Sequence, residues 1–354
     1  MDKYQQNSFL TTLLLTLLLL LPVATLQAAA ESLFESEVVV ANQSPGVRAG
    51  AMKTALREVL VRVAGQDAIL GTEPAIALLQ DPAQLVQQYR YYTVPESKPP
   101  VLKMWVRFDG EAVRRALQQQ GVSYWGAERP DTLVWLAVED RGKRYVVAAD
   151  DGTEVYRQIE QAARTRGVPV LFPLMDLEDQ SRVRFSDIWG GFFENVLEAS
   201  KRYNPQAVLI GRLNRSPSGA WSSRWQLEVA GKSSSWSDSR QQLAMLAQQG
   251  IDDTADILAS RFAVSQTGAN LNSVSITVTG VDSLADYARL GDYLAGLTAV
   301  VAVQVQKVAG NDIQYALQLN GSLQDLTQTV SIGTVLEPLP AQSMDTPGSF
   351  RLRQ

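Results

Sequence analysis

Between residues 31 and 126 the chain switches between strand-like and helix-like spacing of its apolar positions. Residues 34–40 have the composition of a short strand, and residues 101–108 alternate apolar and polar side chains, as a strand with one buried face does. Between them, apolar residues recur every three or four positions and stop at Gly65, which is typical of an amphipathic helix capped by glycine. These patterns predict an α+β domain over residues 31–126. They also predict shorter helices over residues 74–79, 82–90 and 111–120.

Longer apolar runs begin at residue 129 and continue to residue 264. Residues 132–138 are almost wholly apolar, which is typical of a strand covered on both faces. Residues 221–229 differ, because Trp221 and Trp225 share one face and Ser222 and Arg224 share the other. This order of elements predicts a mixed sheet with helices packed on it. The remaining predicted elements are strands at 145–149, 168–175, 207–213 and 232–238, a helix before Gly167, a helix over 186–199 and a helix ending at Phe262.

The third block, residues 272–340, has the order strand, helix, strand, strand, helix, strand. Ser283 and Ser322 stand where the N-caps of its two helices belong, and Gly310 with Asn311 marks the hairpin between the middle strands. This order predicts a ferredoxin-like domain. Residues 341–354 have few apolar side chains and are predicted to be a polar tail without a core. The whole pattern predicts an α+β protein of three modules.

A leader-like segment precedes these blocks. Lys3 is followed by a leucine-dominated apolar run over residues 9–26 and by three alanines at 28–30. This pattern predicts a signal peptide over residues 1–30 that is removed on export to the periplasm. The alternative is an uncleaved anchor in the inner membrane, because the run is long enough to cross a hydrocarbon core of about 30 Å.

Two missing residue types narrow the chemistry. The chain has no cysteine and no histidine, so thiol catalysis, disulfides, the usual zinc sites and Ser-His-Asp triads cannot be built from it. The formal net charge is −5, which gives no general attraction to nucleic acid. We therefore expect no nucleic-acid partner, no cofactor and no enzymatic activity, and a membrane contact only through an uncleaved leader.

Two groups of side chains are candidate sites. Asp176, Glu178 and Asp179 follow a predicted buried strand, where carboxylates could bind calcium or magnesium or act as acid and base; the alternative is a solvated turn. Tyr89, Tyr91 and Tyr92 precede the proline-rich segment 95–100 and are the candidate partner-binding residues, with a core role as the alternative.

Several stretches of the middle block have a familiar sequence: Leu133 to Val138, Pro169 to Asp179, Ala207 to Leu213, the strand with Trp221 and Trp225, and the helix end Ala259 to Ala263. On these stretches the chain resembles a family of exported proteobacterial proteins of unknown function. The middle block is also similar to periplasmic domains of TolB, of curli-secretion lipoproteins and of lipoproteins that activate penicillin-binding proteins. That similarity implies a role in binding other envelope proteins, and it carries over no residue.

These observations together predict a non-enzymatic accessory or protein-interaction protein of the cell envelope, with an unknown envelope protein as its partner. Two alternatives remain. One is a histidine-free hydrolase that uses the carboxylates of Asp176, Glu178 and Asp179 on glycans. The other is a small-ligand-binding protein with its site in a cleft between modules.

Overall fold

A computed structural model describes residues 33–95, 99–118, 122–263, 271–339 and 348–353. These residues form three separate sheets, each with helices packed on it, which confirms the α+β class. The predicted signal peptide at residues 1–30 lies outside the described residues. Among the residues that are described, no helix is both long enough and apolar enough to span a membrane.

The first module is a three-stranded antiparallel sheet with a long helix on its buried face. The helix over Pro45–Ala64 ends at Gly65, whose φ of 77° is the left-handed conformation that favours glycine. One prediction is wrong in its second half: residues 82–85 form a short 3-10 helix, but residues 86–90 begin a strand, because they pair with the strand at Val101–Phe108. The elements are β1 (Glu35–Val39), α1 (Pro45–Ala64), α2 (Glu73–Leu78), β2 (Val86–Val94), β3 (Val101–Phe108) and α3 (Gly110–Gln118).

The middle module has a mixed sheet in the order β5-β4-β7-β8-β9, with β6 paired to the start of β4. The strands β4 and β7 are parallel, and β8 and β9 continue the sheet antiparallel. Two helices, α4 and α8, cover one face, and three short helices lie on the other. The elements are β4 (Thr132–Asp140), β5 (Lys143–Val146), α4 (Glu154–Arg166), β6 (Val170–Leu171), α5 (Leu177–Arg182), α6 (Phe185–Gly190), α7 (Phe193–Ser200), β7 (Ala207–Arg215), β8 (Trp221–Val229), β9 (Lys232–Arg240) and α8 (Leu243–Phe262).

Two predictions for this module need correction. The strand predicted over residues 168–175 is only two residues long, Val170–Leu171, since it pairs with β4 at two positions alone. The single helix predicted over residues 186–199 is two helices, α6 and α7. Gly191 ends the first of them with a φ of 84°, and this left-handed turn redirects the chain.

The third module contains the predicted ferredoxin-like order and one additional strand. Its sheet order is β11-β12-β10-β14-β13, so β14 lies between the first strand and the strand that would close a ferredoxin-like sheet. The prediction of a coreless tail is therefore wrong at residues 349–352, where Phe350 and Leu352 are buried in the core. The elements are β10 (Leu271–Thr279), α9 (Leu284–Gly296), β11 (Val300–Ala309), β12 (Asp312–Asn320), α10 (Leu323–Ile332), β13 (Leu336–Pro338) and β14 (Ser349–Leu352).

A buried arginine, Arg129, joins the first two modules. Its Nε donates to the main-chain carbonyl of Gly126. Its Nη1 donates to the carbonyls of Arg166 and Gly167, and its Nη2 donates to the carbonyls of Arg62 and Trp125; all five distances are 2.9–3.0 Å. All five of its N–H groups therefore bind main-chain oxygens. Burial lowers the pKa of Arg129 to about 9, with the charge of Arg62 as a second cause, so the group stays charged at neutral pH.

Two further arginines cross the same boundary. Arg62 of α1 donates from Nε to the carbonyl of Thr165 in α4, at 2.8 Å. Arg166 of α4 donates from Nη2 to the carbonyl of Gly65, at 2.9 Å, and to Asp256 of α8, at 2.7 Å. The end of α1 and the end of α4 are consequently fixed against each other by donors from both modules.

The third module shares a core residue with the middle one. Ile332, the last residue of α10, is buried among the side chains of the middle module. The domain boundaries at 126, 129, 264 and 272 stay a prediction, and residues 264–270 lie outside the described residues.

We expect Phe350→Ala to destabilise the third module by about 3–5 kcal/mol, because it removes a ring that is 1% exposed from a packed core. Urea unfolding followed by far-ultraviolet circular dichroism measures this loss. All seven tryptophans lie between residues 105 and 236, so their fluorescence reports the unfolding of the other two modules. In Phe350→Ala this fluorescence should change at a higher urea concentration than the circular dichroism of the third module. Arg351→Ala, at the exposed neighbouring position, is the control and should shift stability by less than about 0.5 kcal/mol. Equal effects of the two substitutions would contradict a core role for β14.

Arg129→Ala should lower the free energy of unfolding by at least about 3 kcal/mol, because it leaves buried carbonyls without donors. The guanidinium carbon of Arg129 lies 4.0 Å from the ring centroid of Trp125, so tryptophan fluorescence during urea unfolding follows this contact. We expect the single transition of the first two modules to separate into two. Arg57→Ala, at an exposed position of α1, should leave the transition unchanged, and an unchanged transition in Arg129→Ala would show that the modules are joined by other contacts.

Candidate functional site

The middle module has an open groove on one face of its sheet. The short helix α6 packs against β4 and β7, and α8 packs against β8 and β9 from the opposite side. In the described part of the chain, no helix covers the second face of β8 and β9. The groove therefore lies between the wall formed by α6 and α7 and the outer strand β9.

Strand register places polar side chains in rows across the floor of this groove. Arg212 of β7 lies opposite Arg224 of β8, which lies opposite Ser237 of β9. The row on one side is Asn214, Ser222 and Ser239, and the row on the other side is Ile210, Gln226 and Ser235. The groove thus has two guanidinium groups at its centre and a line of serine hydroxyls along its outer rim.

The two arginines differ in how they are held. Nη1 of Arg212 donates to the carbonyl of Trp189 at 2.6 Å, and its guanidinium lies 5.8 Å from the ring centroid of Phe193. Burial, and then the charge of Arg224, lowers the pKa of Arg212. Arg224 is exposed and makes no hydrogen bond or ion pair within the described residues. Arg224 is consequently free to bind a ligand, while the guanidinium of Arg212 is held in place by its bond to the carbonyl of Trp189.

Aromatic rings build the wall of the groove. Trp189 of α6 stacks on Phe185, with ring centroids 5.1 Å apart, and Phe193 begins α7. One part of the groove holds about 650 Å³, and it is lined by Trp189, both arginines, Asn214, Asp238 and serines of β8 and β9. The whole groove runs about 13 Å along the strands from the row of Ser235 to the row of Ser239, at about 3.3 Å per residue. These dimensions suit four or five residues of an extended chain.

The three carboxylates predicted as a candidate metal or acid–base site surround a cation of the protein itself. Asp176 forms two hydrogen bonds with Arg202, at 2.8 and 2.9 Å, and caps the N-terminus of α5. Asp179 accepts a third hydrogen bond from Arg202, at 3.0 Å, and Glu178 lies 3.5 Å from the same guanidinium. The hydrogen bonds from Arg202, followed by the one from the Asp179 amide, hold the pKa of Asp176 well below its usual range.

Asp179 is fully buried although it carries a carboxylate. The amide of Met175 and the hydroxyl of Tyr203 both donate to its Oδ2, at 2.9 and 2.5 Å. Burial, and then this bond to Asp179, raises the pKa of Tyr203 to about 12. Among the described residues, no group of three or more carboxylates is placed to hold a metal ion. These carboxylates therefore hold α5 in place against Arg202 and Tyr203.

The three tyrosines predicted to bind a partner lie on the edge strand β2, and they do not share one face. Tyr89 and Tyr91 point to the face of Val106 and Met104, with their ring centroids 6.0 Å apart. Tyr92 points to the opposite face, where burial and a hydrogen bond with Glu37 raise its pKa to about 12. Tyr89 is 41% exposed and lies near the guanidinium of Arg48, so it is the accessible member of the three.

A second cleft lies between the first and middle modules and holds about 470 Å³. It corresponds in place to the cleft predicted for a small ligand. Its walls carry Glu35, Glu58, Arg62 and Arg129, but all four already have partners. The two glutamates accept hydrogen bonds from neighbouring side chains, and the two arginines donate to main-chain carbonyls across the module boundary. The cleft is consequently part of the packed boundary between the two modules, and its polar side chains are not available for a ligand.

Sequence reasoning missed the groove. The alternation in β8 places Ser222 and Arg224 on one face, but it does not show what lies beside or above them. The neighbouring position of Arg212 depends on the register between β7 and β8, which no single segment encodes. The available signal was the serine-rich strand β9, since a strand with serine at nearly every outer position indicates an uncovered face.

Comparisons with known proteins identify one segment of the chain. A family model described as a domain of unknown function (DUF8605) matches residues 28–126, which include the first module. This match is consistent with an uncharacterised family; the middle-block stretches on which the similarity was predicted lie outside it, so that similarity stays a prediction. No curated protein matches the chain.

We expect Asp176→Asn to lower the melting temperature at pH 7, because asparagine keeps the helix cap but loses the charge that Arg202 binds. Since the folded pKa of Asp176 is lowered, this stabilisation is present above the unfolded pKa of about 4 and is lost as the pH falls through the folded pKa. The difference from the wild type should be constant between pH 7 and 5 and should narrow below about pH 4. Glu194→Gln, at an exposed carboxylate of α7, is the control and should show no such dependence. A difference that stays constant down to pH 2 would contradict the pairing with Arg202.

Proposed function

We propose that this chain is a non-enzymatic protein-interaction protein of the cell envelope, and that the groove over β7, β8 and β9 binds a segment of its partner. The observation that carries this proposal is the uncovered sheet face itself. It has an aromatic wall at Trp189 and Phe193, a rim of exposed serines, and an exposed cation at Arg224 that forms no ion pair within the described residues. Exposed polar and aromatic side chains along an open groove suit recognition of an extended chain.

The chemistry of the groove supports binding more than catalysis. Its central groups are two guanidiniums and several serine hydroxyls, and the carboxylate that also lines the groove, Asp238, is paired with Arg240. The alternative hydrolase would use Asp176 and Asp179. A glycosidase general acid needs a raised pKa, whereas Arg202 lowers the pKa of Asp176. The electrostatics of that cluster therefore favour a structural role.

The place of action remains part of the proposal. The apolar run over residues 9–26 with the alanines at 28–30 supports export to the periplasm, with the anchored form as the alternative. In that compartment the partner would be another envelope protein. The resemblance of the middle block to envelope-binding domains points the same way, by analogy of pattern.

A photo-crosslinking amino acid in place of Ser237, on the rim of the groove, tests this proposal in living cells of the source organism. We expect ultraviolet light to produce a discrete adduct with an envelope protein, because the side chain would lie against the bound segment. The same residue in place of Thr54, which is exposed on α1 of the first module, is the matched control and should give no such adduct. Identical adducts at both positions, or none at Ser237, would refute the groove as the partner site.

A further inference from the structure

Two like charges stand side by side at the centre of the groove. Arg212 and Arg224 occupy directly opposite positions on neighbouring strands, an arrangement that is destabilising for like charges. Burial and the neighbouring charge already lower the pKa of Arg212. A negative group bound between the two guanidiniums would relieve this repulsion, and Arg224 has its donors available for it.

The carboxylates nearest in the sequence are already engaged. Glu228 lies two rows away on β8, about 13 Å along the strand, and accepts a hydrogen bond from Gln226 at 2.7 Å. Asp238 of β9 forms an ion pair with Arg240, at 2.7 Å, beside the inward-facing Ser223. Both carboxylates are thus engaged by other side chains, and neither of them forms an ion pair with Arg212 or Arg224.

The shape of the groove favours a chain over a small ion. The arginine row has a polar row on either side, Asn214 with Ser222 and Gln226 with Ser235, all within the same groove. These amide and hydroxyl groups can donate to and accept from a main chain that lies along the strands. A single anion would contact the arginine row and leave both flanking rows to water.

We propose that the ligand of this groove is an extended acidic peptide segment, four or five residues of which lie along β8 and β9 with a carboxylate on Arg212 and Arg224. This inference rests on the proposed function and names the chemistry of the partner. Carboxylate–guanidinium bonds provide both charge neutralisation and a fixed geometry, and the serines provide the surrounding polar contacts.

Binding of two labelled peptides tests the proposal directly. The probes are fluorescein-labelled octapeptides, one alternating glutamate with threonine and one alternating lysine with threonine, measured by fluorescence anisotropy on the protein without residues 1–30. We expect the glutamate peptide to saturate the protein below about 1 mM and the lysine peptide not to bind. A glutamate–threonine dipeptide should bind at least roughly tenfold more weakly than the octapeptide, because it reaches the arginine row alone.

Charge reversal supplies the control. Arg224→Glu should weaken binding of the glutamate peptide by at least roughly tenfold, and Arg57→Glu, which makes the same exchange at an exposed position of the first module, should leave it unchanged. Arg224 is exposed, so its replacement is expected to leave the fold intact, which circular dichroism checks.

Three outcomes would overturn the inference: no binding of the glutamate octapeptide, equal binding of both octapeptides, or equal loss in the two arginine variants. Equal affinity of the dipeptide and the octapeptide would refute an extended ligand. These failures differ from failure of the proposed function. If Ser237 crosslinks a partner while the glutamate peptide does not bind, the groove is an interaction site and only the acidic chemistry of the ligand is wrong.

Discussion

The packing of the first two modules depends on one buried guanidinium. Arg129 lies where the loop after α3 meets the end of α4, and its five donors bind main-chain oxygens from both modules. An ordinary side-chain contact could slide, but a planar group with five fixed directions cannot move without losing several bonds at once. A buried cation without a carboxylate is costly unless every donor is used, and here each one is.

The geometry of this seam decides which face of the middle sheet stays open. Arg62 and Arg129 together hold the last turn of α4, and Arg166 ties that helix to Asp252 and Asp256 of α8. Both helices, α4 and α8, are thereby held on the face of the sheet that adjoins the first module. The opposite face receives only the short segments α5 to α7, which reach as far as β7. The groove over β8 and β9 follows from that division, because no described element is left to cover it.

Local patterns were enough to predict most elements, and what they missed depends on distant residues. The helix ending at Gly65 and the caps at Ser283 and Ser322 are encoded within a few residues, and the structure places them as predicted. The prediction of a helix is wrong for the first half of β2, residues 86–90, because that strand is determined by its pairing with β3. The prediction of a tail is wrong for β14, because Phe350 and Leu352 alone give no measurable period. The groove could not be predicted for the same reason, since Arg212 and Arg224 are brought together only by strand register.

The net charge of the chain does not determine the local field at the groove. A formal charge of −5 describes the whole chain, yet fields at physiological ionic strength decay over about 8 Å. The residues directly opposite Arg224 on the two neighbouring strands are Arg212 and Ser237, and the nearest carboxylate on the same face of β8, Glu228, is about 13 Å away along the strand. An acidic segment would therefore be repelled weakly by the protein as a whole and attracted strongly once inside the groove. Such a site selects for charge at contact and gives little long-range steering, so its association rate should be ordinary even where its specificity is high.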